Sequence, residues 1–396
     1  MKKWFCLVLC IIIALSATGC KSDYSVSNPM EYPDYTFDSE PDTMEMRMMA
    51  VQAMRDILSI NWCPQKEIRY RKTGPVSDKE FIHMPGNTYG GLLYSNASTG
   101  IFQFFEYYNT ATGCLEYEGN SDDLKQDLGS SCADSLLWGW SAVCNSVTGG
   151  FYPVMMVPAN GYILVGDYTF RDSIKTYNEY PSYAIIENNP KEVIMEAYSK
   201  TLPADALIST SDNHAMMVIE SPVVAKLPDG SIDSANSYLM IQDQRAGGTA
   251  SFREVVDGQE IVYNGRISAK CTFDELYEKD YIPLTAAEFT GEKSYDKASV
   301  SVNNPDCSSI SALSEVIVES NYPLAVVNLI ETNMLGTETV IKRTLFGGSS
   351  MHGVPRSYKL SDMDGLENLS VSVGCTVKLE VVVSTGERFY PIEFTP

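Results

Sequence analysis

Histidine is scarce in this chain: three residues in 396, His83, His214 and His352. A nucleophilic cysteine or serine usually needs an imidazole base, so any such chemistry has a short list to draw on. No Cys-x-x-Cys or His-x-x-x-His spacing occurs, which removes the common sequence signatures of zinc. No metal or organic cofactor is implied. Basic residues are few as well, 29 Lys and Arg against 51 Asp and Glu, for a formal charge of -22. A surface of that sign repels nucleic acid and anionic lipid headgroups, so no nucleic-acid partner is expected. After the first twenty residues no apolar run approaches the roughly 20 residues that span a bilayer.

What is present begins at the N-terminus. Lys2-Lys3 precede an apolar run from Trp4 to Leu15, closed by the small residues Ser16-Ala17-Thr18-Gly19 and then Cys20. These are the three parts of an export signal, with an apolar part too short to span. Small residues directly before a cysteine resemble the bacterial lipoprotein lipobox, although Ala17 stands where Leu is commonest. The resemblance implies a signal peptide over residues 1–19 and lipidation of Cys20, anchoring the protein on the outer face of a bacterial membrane. Two acyl chains at about 0.8 kcal/mol per buried CH2 suffice for stable anchoring. A plain secretory signal with an incidental cysteine is the alternative.

Ten cysteines are encoded. Cys6 and Cys10 leave with the leader and Cys20 takes the lipid, so Cys63, Cys114, Cys132, Cys144, Cys271, Cys307 and Cys375 remain. An odd set outside the cell leaves at least one free thiol, a candidate reactive residue. Residues 20–43 are polar, acidic and proline-punctuated, which reads as a tether. A helix is expected from about Met44 to Ile60, with Met46, Met49, Ala50, Ala53 and Ile57 on one stripe. A second helix is expected near 129–145, where Leu136, Leu137, Trp140 and Cys144 recur at helical spacing behind an N-cap at Ser130 or Ser131.

Pro190 to Lys200 reads as a short helix. Strands are then expected at Ala206-Leu207-Ile208, His214 to Glu220 and Ser237 to Gln242, the last two joined through the turn Pro228-Asp229-Gly230. After a polar linker near 292–304, alternating strands at 324–330, 338–345, 376–383 and 388–394 point to a β-sandwich over residues 298–396. The fold class is α+β: a domain over 44–292, then the sandwich.

Two residues carry the chemical argument. Cys132 falls in the first turn of its helix, where unpaired N–H groups and the macrodipole favour an anion and lower a thiol pKa from about 8.5. The same N–H groups suit an oxyanion. His214 heads an apolar strand after the polar Ser211-Asp212-Asn213 turn, a rigid place to hold a base. His83 and His352 read instead as solvated loop residues. The next strand offers Gln242 and Asp243 to orient the imidazole, and because faces alternate only one of them can do so. Trp138 and Trp140 read as core.

The order of cysteine at a helix start, histidine heading a strand and a polar residue on the following strand resembles the papain-like cell-wall hydrolases. Ser131-Cys132-Ala133-Asp134-Ser135-Leu136-Leu137-Trp138 is similar to the nucleophile motif of NlpC-like and CHAP-like peptidases and amidases. Ala204-Asp205-Ala206-Leu207 and Asn213-His214-Ala215-Met216 resemble their Gly-Asp-strand and Gly-His-strand pair, with Ala204 and Asn213 where glycine is usual. Thr88-Tyr89-Gly90-Gly91-Leu92-Leu93-Tyr94 resembles the segment lining the cleft, which makes Tyr94 a substrate-binding candidate. The resemblance implies a papain-like fold, N-terminal helices on an antiparallel sheet. It also implies a cysteine hydrolase cleaving amide bonds of peptidoglycan stem peptides, with catalytic Cys132 and His214 and either Gln242 or Asp243. A non-catalytic surface-binding lipoprotein and a transglutaminase-like acyltransferase are the competing expectations.

Overall fold

The first helix, Thr43–Ser59, starts where Asp42 accepts the N–H groups of Met44 and Glu45, both at 2.8 Å, while Glu45 reaches back to the Asp42 N–H. Such a reciprocal cap satisfies donors that a helix start otherwise leaves open. Met46, Ala50, Ala53, Met54, Ile57 and Leu58 form its buried face. Arg47 is buried there too, paired with Asp205 at 2.7 Å and bonded to the Pro203 and Phe289 carbonyls. The computed structural model describes residues 33–72, 79–117, 128–146, 153–171, 176, 178–245, 252–256, 258–347 and 354–396. Cys20, the leader and His352 lie outside the described residues.

A six-stranded sheet forms the platform for the site. Its spatial order is Gly265–Thr272, Tyr238–Gln244, His214–Val218, Ala206–Ser209, Ile282–Thr285 and Ile163–Leu164, every neighbouring pair antiparallel. The helix Cys132–Ser141 packs against both this sheet and the first helix. Gly139 makes the approach possible: a Cβ there would fall 2.9 Å from Met54 Cβ and 3.2 Å from the Met217 side chain. Trp138 and Trp140 are buried in the core, and the Trp140 indole donates to the Ala204 carbonyl at 2.7 Å. The helix over Lys191–Ser199 begins after Pro190, which supplies the extended residue before it.

A second sheet runs Phe252–Val256, Gln259–Tyr263, Thr88–Gly90, Asn61–Pro64, Cys114–Leu115 and Tyr108–Asn109, with parallel and antiparallel pairs mixed. A hairpin of Ile68–Lys72 and Lys79–His83 stands beside it. His83 is therefore a strand residue, 5% exposed, against the expectation of a solvated loop. Its burial follows from the aromatic wall it joins, formed with Trp62 and Tyr89. The chain after residue 298 forms a three-stranded sheet (Val300–Val302, Ile317–Ser320, Ser357–Lys359) and a four-stranded one in the order Glu338–Leu345, Leu324–Thr332, Thr376–Val383, Arg388–Phe394. The class is α+β with several sheets and few helices. The described residues pack as one unit, tied by hydrogen bonds such as Ser384 Oγ to the Ser141 carbonyl at 2.6 Å and Gln103 Nε2 to the Phe346 carbonyl at 2.6 Å.

Candidate functional site

Strand register determines which side chains meet. Gln242 pairs with Met217 and Ile241 with Val218, so Asp243 and His214 lie on one face of the sheet as diagonal neighbours. The His214 Nε2–Asp243 Oδ2 distance is 2.7 Å. Gln242 belongs to the opposite face, where its amide donates to the Val51 carbonyl at 2.9 Å, against the first helix. Of the two residues considered for orienting the imidazole, Asp243 meets it and Gln242 does not; strand alternation is the reason.

Asp243 has more than one partner. Arg266, its register partner on the outer strand, donates Nε to Oδ1 at 2.8 Å and a terminal nitrogen to Oδ2 at 2.7 Å. Arg245 Nε adds a bond to Oδ2 at 2.6 Å. Burial alone would lift this carboxyl, but the His214 and Arg266 hydrogen bonds and charges hold it well below the usual carboxylate range. Close packing keeps the two strands in place. Gly265 lies where a Cβ would be 2.6 Å from the Asp243 carbonyl oxygen.

Cys132 occupies the first position of its helix after Ser131, whose N–H donates to Asp134 Oδ2 at 2.7 Å. The thiol lies beside the His214 ring and the Ala215 backbone, and both act on its ionisation. With Nε2 engaged by Asp243, Nδ1 is the ring nitrogen left for the sulfur. Burial opposes ionisation of the thiol, yet the His214 charge, its hydrogen bond and the Ala215 bond outweigh that and lower the pKa. Conversely, burial pulls His214 down, while the Cys132 charge and the Asp243 bond raise it to about 9. Both shifts favour a thiolate–imidazolium pair near neutral pH.

The helix start is clamped to the sheet by Gln244. Its carbonyl oxygen accepts the Ser130 hydroxyl at 2.5 Å and also the Ser135 hydroxyl, while its amide donates to the Leu92 carbonyl at 3.0 Å. The Tyr94 backbone bridges to Ser130, two residues before the cysteine, and its ring, 8% exposed, lies 6.4 Å from Phe81. Tyr94 thus borders the helix start through its backbone, with its ring largely covered. Cys132 itself is 4% exposed and the His214 side chain 12%.

No family model, curated protein or solved structure matches the chain. The site is therefore read from its own geometry. Arg245, Arg266 and Gln244 were missed in the sequence. Gln244 had a weak signal, since it shares a strand face with Gln242 two residues away. Arg266 had none, because only pairing register brings it opposite Asp243. Beyond Asp243 lies a cavity of about 140 Å³ lined by Met216, Arg245, Arg266, Lys270, Lys279 and Tyr281 among others. Among the described residues no group of His, Cys, Asp and Glu is arranged to hold a metal ion.

Proposed function

We propose that the chain is a cysteine hydrolase of papain-like architecture, NlpC-like or CHAP-like, lipid-anchored at Cys20 outside the cytoplasm. Its substrate is the peptide of peptidoglycan, and its C-terminal β-sandwich accompanies the catalytic region. The observation that carries this reading is the helix-start thiol of Cys132 beside His214, each shifting the other's ionisation, with His214 Nε2 2.7 Å from Asp243. Two further details support it. Ala204 and Asn213 stand where the resembling families carry glycine, and both have positive φ, +70° and +46°. Glycine favours that region, and Asn tolerates it.

In this mechanism the Cys132 thiolate attacks the amide carbonyl, forming a tetrahedral intermediate whose oxyanion faces the first-turn N–H groups. His214 gives its proton to the departing amine, leaving a thioester. It then takes a proton from water, which attacks the thioester, and returns that proton to the sulfur as the acid leaves. Asp243 holds the ring in orientation and stabilises its charge.

Digesting purified peptidoglycan with the protein and with Cys132→Ala tests this. New amino termini should appear only with the unsubstituted protein; equal product from both ends the enzyme reading. The second reading is a surface-binding lipoprotein on the same fold, which the 4% exposure of Cys132 favours. It predicts retention of peptidoglycan without release of peptides, and alkylation of Cys132 no faster than in the unfolded chain. A transglutaminase-like acyltransferase would show amine incorporation outrunning hydrolysis on a peptide panel.

A further inference from the structure

Cys63 and Cys114 are register partners on two adjacent parallel strands, Asn61–Pro64 and Cys114–Leu115. Register partners on adjacent strands present their side chains to the same face. Their sulfurs lie 2.7 Å apart, and both residues are half-buried. Neighbouring strands sit about 4.8 Å apart, inside the roughly 4.4–6.8 Å that a disulfide accepts between Cα atoms. Fifty-one positions separate the two in sequence, so only the folded sheet brings them together.

We propose that Cys63 and Cys114 form a disulfide in the finished protein while Cys132 stays reduced. The step is thiol–disulfide exchange with a small-molecule or protein disulfide. One cysteine thiolate attacks the donor, giving a mixed disulfide and releasing one donor thiol. The second cysteine then attacks the first cysteine's sulfur and releases the other donor thiol. Two protein thiols are oxidised, one donor disulfide is reduced, and the protons pass to the departing thiolates. Burial, then the hydrogen bond with Cys114, pushes the Cys63 thiol up to about 11, so the exchange runs faster in mild alkali. At the Cys132 sulfur the contacts are instead His214 and the Ala215 backbone.

The bridge closes the segment that carries Tyr94 and one wall, Phe81 to Tyr89, of a cavity of about 590 Å³. Closing so long a loop removes much freedom from the unfolded chain. It therefore locks the second sheet, while Cys132, His214 and Asp243 all lie outside the closed segment.

The test uses the full chain, purified reduced and then exposed to oxidised glutathione. Expected are a mass loss of two hydrogens, a linked peptide holding Cys63 and Cys114, and a melting temperature higher by about 5 °C. Cys132 should still take iodoacetamide after unfolding. In Cys63→Ser, Cys114 should keep one glutathionyl group and the melting temperature should not rise. Recovery of Cys63 and Cys114 as free thiols, each glutathionylated, or linked to other cysteines overturns the proposal. None of these readouts depends on turnover or on Cys20 lipidation, so failure of the hydrolase reading leaves the result intact.

Discussion

Two described histidines occupy two sheets and meet opposite fates. His83 sits in the hairpin beside the second sheet, its ring centroid 5.3 Å from Trp62 and 4.6 Å from Tyr89. Burial drives it down to about 4, a little offset by a bond with Asn264. His214 is also well covered, yet the Cys132 charge and the Asp243 bond more than offset burial and raise it to about 9. Enclosure by itself gives a neutral imidazole. An acidic partner on each side gives a cation, and that cation lets a neighbouring thiol ionise. The first environment builds a wall; the second can carry chemistry.

The largest expected effect breaks the comparison on the His214 side. Cys132→Ala should lower kcat/KM on peptidoglycan peptides by at least about 10⁴-fold, while the His83→Phe variant keeps turnover within a few-fold. Asp243→Asn should lower kcat/KM by roughly 10²-fold or more. It should also destabilise the fold by about 3 kcal/mol, because Arg266, Arg245 and His214 lose their shared anion. Denaturant titration and steady-state kinetics read the two losses separately.

The pH dependence sharpens the contrast. Turnover should fall as pH rises through about 9, where His214 loses the proton it gives to the amine; a rate still climbing beyond that point removes His214 from the mechanism. For His83 the folded pKa of about 4 lies below the ordinary 6.5. The unfolded chain then binds the proton more readily, so stability is present above about pH 6.5 and lost as pH falls toward 4. The loss is roughly 3 kcal/mol, and His83→Phe should remove it from urea unfolding curves measured across that range. The smallest effect is at the turn before His214. Asn213→Ala should cost about 1 kcal/mol, because alanine resists positive φ, while Asn213→Gly stays within about 0.5 kcal/mol of the parent. A matching drop in turnover for Asn213→Ala alone would tie that turn to placement of the imidazole.

Much of the local structure was legible. The stripe of Met46, Ala50 and Ala53 and the N-cap at Ser131 before the Leu136 helix follow from interactions within a few positions, which the sequence carries directly. The strands at 206–209, 214–218 and 238–244 were legible from their apolar runs and the Asp229-Gly230 turn between the last two. The strands over 252–272 were not, since Arg253, Glu254, Gln259 and Glu260 break the alternation that marks a half-buried strand. His83 was misread because its burial comes from Trp62 and Tyr89, on strands that its own neighbours do not predict.

By itself, then, the sequence determined where several helices and strands begin, that Cys132 opens a helix, that His214 opens a strand, and that Gln242 and Asp243 face opposite ways. Tertiary structure alone decided that Asp243 faces His214, that Arg266 and Arg245 share its carboxylate, that Gln244 pins the helix start, and that Cys63 meets Cys114. The physical reason is range. Caps, turns and periodicity act between residues a few positions apart, whereas pairing register joins strands through hydrogen bonds that carry no side-chain identity, so the partners it creates leave no mark in the chain.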